Sequence, residues 1–209
     1  MKSDMTIVVP THNRHHLLAR LLPTLLGLDV PLLIIDSSAA AYPAAPSAPN
    51  VTYVHCPGIG FLDKLRKYVS ECVSTPFLMM NADDIFPLKT SVAKALDFLR
   101  ANPDYSSVQG TTFHYQFGRV ERHRDNSELY QCDAEKASAR ILQHHVCDIH
   151  SFYGVHRADC WRYVLSLIPN ELTNPSLAEE FQIMATLIHG KSKRLSDIFH
   201  VIDCVPPVG

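Results

Sequence analysis

Residues 6–36 read TIVVPTHNRHHLLARLLPTLLGLDVPLLIID, and three periodicities follow one another within them. Thr6-Ile7-Val8-Val9 is a short run dominated by β-branched residues, ending at Pro10, as a strand buried on both faces reads. Leu17, Leu18, Leu21, Leu22, Leu25 and Leu26 then recur at three and four, a helical stripe that Pro23 is expected to kink or restart. Leu32-Leu33-Ile34-Ile35 is a second buried strand, closing on Asp36-Ser37-Ser38. Strand, helix and strand within about 35 residues make a βαβ unit, hence a parallel pair with a right-handed crossover. The expected fold class is therefore α/β, with a central, mostly parallel sheet flanked by helices.

The same alternation continues downstream. Residues 39–50, rich in Ala and Pro, read as loop, and 51–55 as a third strand. Leu62, Leu65, Val69 and Cys72 mark the buried face of a helix, and Phe77-Leu78-Met79-Met80 is a fourth buried strand running straight into Asn81-Ala82-Asp83-Asp84. Val92, Ala93, Leu96 and Leu99 give another helix, stopped by Asn102-Pro103. Residues 108–117 alternate like a strand, with Phe113, Tyr115 and Phe117 against Thr112, His114 and Gln116. The charged stretch 118–133 reads as a loop or the edge of an acceptor site. Helices near 134–142 and 177–189, then a strand-like 195–199, complete the pattern. A single domain over 1–209 is expected, with a nucleotide-binding half at about 1–103 and an acceptor half at about 104–209.

Composition narrows the function classes. The chain has 209 residues, 46% hydrophobic and 19% charged, with a formal net charge of −2, so no global basic field invites nucleic acid. No apolar run reaches membrane-spanning length, since the Leu-rich stretch 17–28 is broken by Ala19, Arg20, Pro23, Thr24 and Gly27. The polar start is not a signal peptide, and a cytoplasmic location is expected. Six scattered cysteines without a C-x-x-C pair read as reduced thiols. The ending Val205-Pro206-Pro207-Val208-Gly209 reads as linker, which fits one domain of a longer protein.

Chemistry concentrates where strands end. In an open parallel sheet, ligands collect at the carboxyl ends of strands near the switch in strand order. Asp36 follows the second strand and Asp83-Asp84 the fourth. Adjacent carboxylates raise each other's pKa unless a cation neutralises them, and hard oxygens suit Mg²⁺ or Mn²⁺ bridged to phosphates. The alternative is that one Asp caps a helix starting near Pro87-Leu88 while the other is solvated.

Quoted in order, TIVVPTHNR (6–14), LLIIDSS (32–38) and FLMMNADD (77–84) resemble the opening strands and the D-x-D loop of glycosyltransferase family 2 enzymes with the GT-A fold. FYGVHRADCW (152–161) and LAEEFQIMATLIHGK (177–191) resemble the later part of a bacterial and viral subgroup of that class. The resemblance implies a metal-dependent transferase that moves a sugar from a UDP-sugar to a glycan or lipid-linked acceptor, with Mn²⁺ or Mg²⁺ as cofactor. It implies a nucleotide pocket of Pro10, Thr11, Arg14, Asp36, Lys64, Asn81, Ala82 and Asp83, Asp36 accepting from the base. Lys67 shares the face of Lys64 but is matched less well. Asp83 is the implied metal ligand, with Asp84 beside it and His200 closing the site. The first Asp of D-x-D is Asn81 here, which keeps an acceptor but loses charge.

An inverting transfer needs a carboxylate that deprotonates the acceptor hydroxyl. In the family this base lies about one helical span before a Gly, which implies Glu179 or Glu180 ahead of Gly190. Three readings stay open: Glu179 as base, Glu180 as base, or Glu179 closing a capping box with Ser176. A helical wheel makes Leu177, Phe181, Met184 and Ile188 the core stripe and turns Glu179 to the opposite side. Arg157 is a candidate for a phosphate oxygen or a surface ion pair, and Tyr153 and Trp161 for a sugar ring or the core. Two rivals remain. A nucleotidyltransferase normally carries a Gly-rich phosphate loop, which Pro10-Thr11-His12-Asn13 lacks. A non-catalytic nucleotide- or sugar-binding domain is kept open by Asn81.

Overall fold

A computed structural model describes residues 3–116, 118–122, 132–147 and 151–204. The readings for most of 118–133 and for the linker-like ending lie outside these residues. The first half alternates as expected: β1 (Met5–Thr11), α1 (His15–Leu26), β2 (Leu32–Asp36), β3 (Val51–His55), α2 (Phe61–Cys72) and β4 (Phe77–Met80). Then come β5 (Ile85–Pro87), α3 (Lys89–Ala101), β6 (Tyr105–Gln116) and β7 (Arg119–Arg122). The chain continues through α4 (Ala137–Cys147), β8 (Val155–Arg157), α5 (Ala158–Leu167), α6 (Pro175–His189) and β9 (Lys191–Asp203).

Among the described residues one sheet runs in the order β3-β2-β1-β4-β8-β6-β9-β5, with β7 paired to β6. The pairs β3-β2, β2-β1, β1-β4 and β6-β9 are parallel, while β8 and β5 join their neighbours antiparallel. From β1 the chain passes outward to β2 and β3, then returns to β4 on the other flank of β1. The order therefore reverses between β1 and β4, and a crevice opens at their carboxyl ends.

Alternation within the strands sends side chains to two cores. Ile7, Val9, Ile34 and Met79 pack with Leu18, Leu21 and Leu99 of α1 and α3. Val8, Leu33, Ile35 and Leu78 pack with Leu65 of α2 and Trp161 of α5. Burial on both faces explains why these strands read as continuous apolar runs. No helix among the described residues is long and apolar enough to cross a membrane.

Several local expectations change. α1 runs through Pro23 without restarting and ends four residues later at Gly27, whose N–H returns to the Pro23 carbonyl. α6 is turned from the expected phase. Leu177 and Ile188 are 57% and 52% exposed, while Ala178, Gln182, Ile183, Thr186 and Leu187 are buried. This helix packs on several elements at once, so its small and polar residues face inward. Nor does a capping box start it: Asn174 accepts from the backbone N–H groups of Ser176 and Leu177. α3 begins after Leu88 with no side-chain cap, so neither Asp83 nor Asp84 serves as one. Trp161 is core, and Arg157 is a brace rather than a phosphate ligand, donating to the carbonyls of Tyr105, Leu99 and Asn102.

Candidate functional site

A pocket of about 210 Å³ opens at the β1/β4 crevice. Of the residues expected to bind or act, Pro10, Thr11, Arg14, Lys64, Asn81, Ala82, Asp83 and Glu179 line it. His12, Phe61, Phe152, Tyr153 and Pro175 join them. The end of β1 supplies Pro10 and Thr11, the end of β4 supplies Asn81 to Asp83, the first turn of α2 supplies Lys64, and the first turns of α6 supply Glu179.

Asp83 is the centre of the polar network. Its Oδ2 accepts from Thr11 Oγ1 at 2.7 Å. Its Oδ1 is 2.9 Å from Arg14 Nη1 but accepts no aligned hydrogen bond. The other Arg14 nitrogen, Nη2, donates to Asp84 Oδ2 at 2.6 Å, so one guanidinium spans both carboxylates. Burial pushes the Asp83 carboxyl above the usual range, helped by Asp84 and opposed by Thr11 and Arg14. A buried carboxylate with a raised pKa is a place where added positive charge is favoured.

Asn81 is fully buried, and its Nδ2 donates to the carbonyls of Ala82 at 2.8 Å and Ile85 at 2.9 Å. Two carbonyls accept only, which fixes which end of the amide faces them. The departure from D-x-D thus has a structural reason: an amide can tie the turn, and a carboxylate cannot. Its Oδ1 is left without a hydrogen bond.

Lys64 is 2% exposed, and its Nζ donates to the Thr11 carbonyl at 2.8 Å and to Ser37 Oγ at 3.1 Å. Burial lowers its pKa, countered by Cys56, Asp36 and Asp83. Lys67, one turn on, is exposed and lies over the Tyr68 ring. Asp36 is not a wall of the pocket. It is fully buried, accepting from His15 Nε2 at 2.8 Å, Tyr53 Oη at 2.6 Å and the Ser38 N–H at 2.9 Å. Burial works against its charge, but these donors outweigh it and hold the carboxyl at about 2. No nucleobase is needed to satisfy it.

Glu179 and Glu180 part company. Glu179 lines the pocket and accepts from Tyr153 Oη at 3.0 Å, whereas Glu180 does not line it. His200 is not brought to the carboxylates either. Strand register sets it opposite Pro87 and Thr112, with Nε2 3.0 Å from Thr112 Oγ1. The residue of β9 beside the acidic loop is Asp203, whose N–H donates to the Asp84 carbonyl at 2.8 Å and whose carboxylate pairs with Arg20.

Among the described residues no group of three or more His, Cys, Asp or Glu side chains converges on one point. The donor set still fits a hard divalent cation, because Asp83 Oδ1 and Asn81 Oδ1 are buried oxygens accepting no hydrogen bond. Mg²⁺ and Mn²⁺ commonly take one or two protein oxygens and fill the remaining positions with water and phosphate. Sequence reasoning missed His12, Phe61, Phe152 and Pro175; nothing in their local pattern marks a pocket, because helix starts and a distant turn bring them there.

A sequence model of the family described as glycosyl transferase family 2 matches residues 6–164. No curated protein matches the chain by sequence. Among solved structures, S. aureus TarS 1-349 is similar with a TM-score of 0.73 and 16% identity, over 97% of this chain and 60% of that one. The same protein in complex with UDP-GlcNAc gives a TM-score of 0.73 and 15% identity, over 99% and 59%. Mannosyltransferase PcManGT from Pyrobaculum calidifontis, in complex with GDP-Man and Mn²⁺, gives 0.65 and 15%, over 100% and 59%. At these identities the likeness shows the fold, and the chain spans about 60% of the length of these structures.

Proposed function

Because the chain belongs to glycosyl transferase family 2, we propose that it moves a sugar from a nucleoside diphosphate to a hydroxyl of a glycan or lipid-linked acceptor, inverting the anomeric carbon. Its fold is the GT-A α/β arrangement. One observation carries the reading: Asp83, Arg14 and Lys64 share a single pocket with Glu179. That pocket combines a cation-seeking carboxylate, two cationic side chains and a second carboxylate set apart on another helix. A UDP-sugar is favoured as donor, since the TarS complexes with UDP-GlcNAc and with UDP have a higher TM-score, 0.73, than the GDP-Man complex of PcManGT, 0.65. The division into a nucleotide half and an acceptor half belongs to the same proposal.

Each residue has a chemical task. Lys64 Nζ spends two N–H bonds on Thr11 and Ser37, which leaves a third for a donor oxygen. Arg14 offers a planar fork suited to phosphate. Mn²⁺ or Mg²⁺ held at Asp83 Oδ1 and Asn81 Oδ1, with Asp84 beside them, would supply charge neutralisation at the leaving diphosphate. Glu179 takes the proton of the attacking hydroxyl. The new bond joins that oxygen to the anomeric carbon as the bond to the β-phosphate oxygen breaks, its electron pair leaving with the diphosphate. A single displacement of this kind inverts the centre. Glu180, outside the pocket lining, is the weaker candidate for base.

The reading as a non-catalytic binding domain rested on Asn81, and the turn carbonyls give that residue a reason of their own. A thermal-shift panel of nucleotides and sugar nucleotides, with and without Mn²⁺, on wild type and Asp83→Asn tests the proposal. A nucleotide at a hundred times its dissociation constant stabilises by about 2.7 kcal/mol. A metal-dependent shift with a uridine nucleotide, reduced in Asp83→Asn, is expected. No shift with any nucleotide would end the transferase reading.

A further inference from the structure

Tyr153 does a job that neither the core nor a sugar ring explains. Its phenol donates to Glu179 Oε1 at 3.0 Å, across 26 residues of chain, and both side chains line the same pocket. We infer that Tyr153 is the positioning residue of the base: its hydroxyl holds the Glu179 carboxylate in place at the pocket wall and favours the ionised form that accepts a proton. This rests on the reading of Glu179 as base, and it also separates Glu179 from Glu180.

The support behind the ring is rigid. The Ser151 carbonyl accepts from the Gly154 N–H at 3.1 Å and from His156 Nε2 at 3.0 Å, closing a tight turn around Phe152 and Tyr153. Gly154 permits that turn, because a Cβ there would lie 2.7 Å from the Val108 carbonyl oxygen. Phe152, 3% exposed, meets Tyr153 edge-on at 5.0 Å and Trp161 edge-on at 5.2 Å. The phenol thus arrives from a turn locked to β6 and α5, while Glu179 arrives on a helix capped by Asn174. Burial first, then the charge of Glu179 and its hydrogen bond, and more weakly Asp84 and Asp83, raise the Tyr153 pKa, so it remains a donor wherever Glu179 is ionised. A hydrogen bond to the charged form stabilises that form.

The test reads ionisation directly. Glutamate carboxyl carbons are followed by ¹³C NMR against pH in the full chain, with the Glu179 signal assigned by its absence in Glu179→Gln. In Tyr153→Phe, Glu179 is expected to titrate about half to one pH unit higher than in wild type. Site-specific 3-fluorotyrosine at 153 keeps the shape, makes the phenol a stronger donor, and should move Glu179 the other way. An unmoved Glu179 in both proteins would overturn the inference. The base reading is judged separately, by UDP release from UDP-GlcNAc: if Glu179→Gln matches a wild type that turns over, that reading fails whatever the titration gives.

Discussion

Thr11 Oγ1 and Asp83 Oδ2 lie 2.7 Å apart although 72 residues separate them in sequence. The bond ties the end of β1 to the loop after β4, across the crevice that the strand order creates. Thr11 is 2% exposed, so removing its hydroxyl leaves a buried carboxylate oxygen without its donor. Thr11→Val is expected to cost about 1–3 kcal/mol of stability in chemical denaturation. It should also raise the pKa of Asp83 further; a variant as stable as wild type would mean that water replaces the hydroxyl.

Arg14 pairs with both Asp83 and Asp84 through one guanidinium, and the two carboxylates in turn hold its pKa up against burial. Within the donor-site reading, that guanidinium competes with a divalent cation for the same oxygens. Arg14→Ala should therefore bind Mn²⁺ about tenfold more tightly without nucleotide, and UDP more weakly. Titration of free Mn²⁺ by electron paramagnetic resonance gives the first value. Weaker metal binding in the variant would make Arg14 an organiser of the ligands instead.

Restoring the family motif should harm this chain. Asn81→Asp would aim a fully buried carboxylate at the carbonyls of Ala82 and Ile85, replacing two donated bonds with repulsion. A loss of about 2–4 kcal/mol is expected from thermal or urea melts. Equal or greater stability would show that the turn rearranges to accept the charge.

Two buried histidines make stability depend on mild acid. Burial depresses His156 to about 4, against hydrogen bonds that raise it, and depresses His200 to about 4 with His114 and Arg194 adding to the effect. Both start from 6.5, so between 6.5 and about 4 the unfolded chain binds protons that the folded chain refuses. Stability should be full above about 6.5 and fall as pH drops toward 4, by a few kcal/mol in all. Asp36, lowered from 3.8 to about 2, adds to the fall only near the acid end of this window and gives up most of its contribution below it. Melting temperatures of wild type and His200→Gln across that range check it; the variant's curve should be flatter.

How much of this was legible in the sequence depends on range. β1, α1, β2 and β4 announce themselves because burial on both faces writes a continuous apolar run, and a helical stripe needs only its own residues. β5 and β8 are three residues each, too short to carry a period, and exist because β9 and β4 pair with them. α5 hides for a related reason: its inward face, Ala158, Cys160, Trp161 and Val164, mixes sizes and polarities that are understood only once α2 and α6 are in contact with it. In the site, the acidic strand end was visible from strand polarity. Asp36 stands behind the pocket lining, satisfied by His15 and Tyr53, which no local pattern joins to it. The β9 register likewise sends His200 to Thr112 and brings Asp203 to the loop of Asp84.

β9 is an interior strand, held between β6 and β5, and it is the only sheet partner of β5 among the described residues. Interior position reverses the usual relation between chain order and assembly. The β1-β2-β3-β4 unit can form while a ribosome is still translating the middle of the chain, since its partners are already made. β5, immediately after Asp83 and Asp84, has to wait for residues 200–202 to emerge more than a hundred positions later. During synthesis the acidic loop is therefore joined to the sheet at one end only until β9 is made. Stalled or truncated chains ending before β9 should keep a folded β1–β4 unit while exposing a β6 edge built for pairing, the kind of surface that quality-control factors and aggregation both seek.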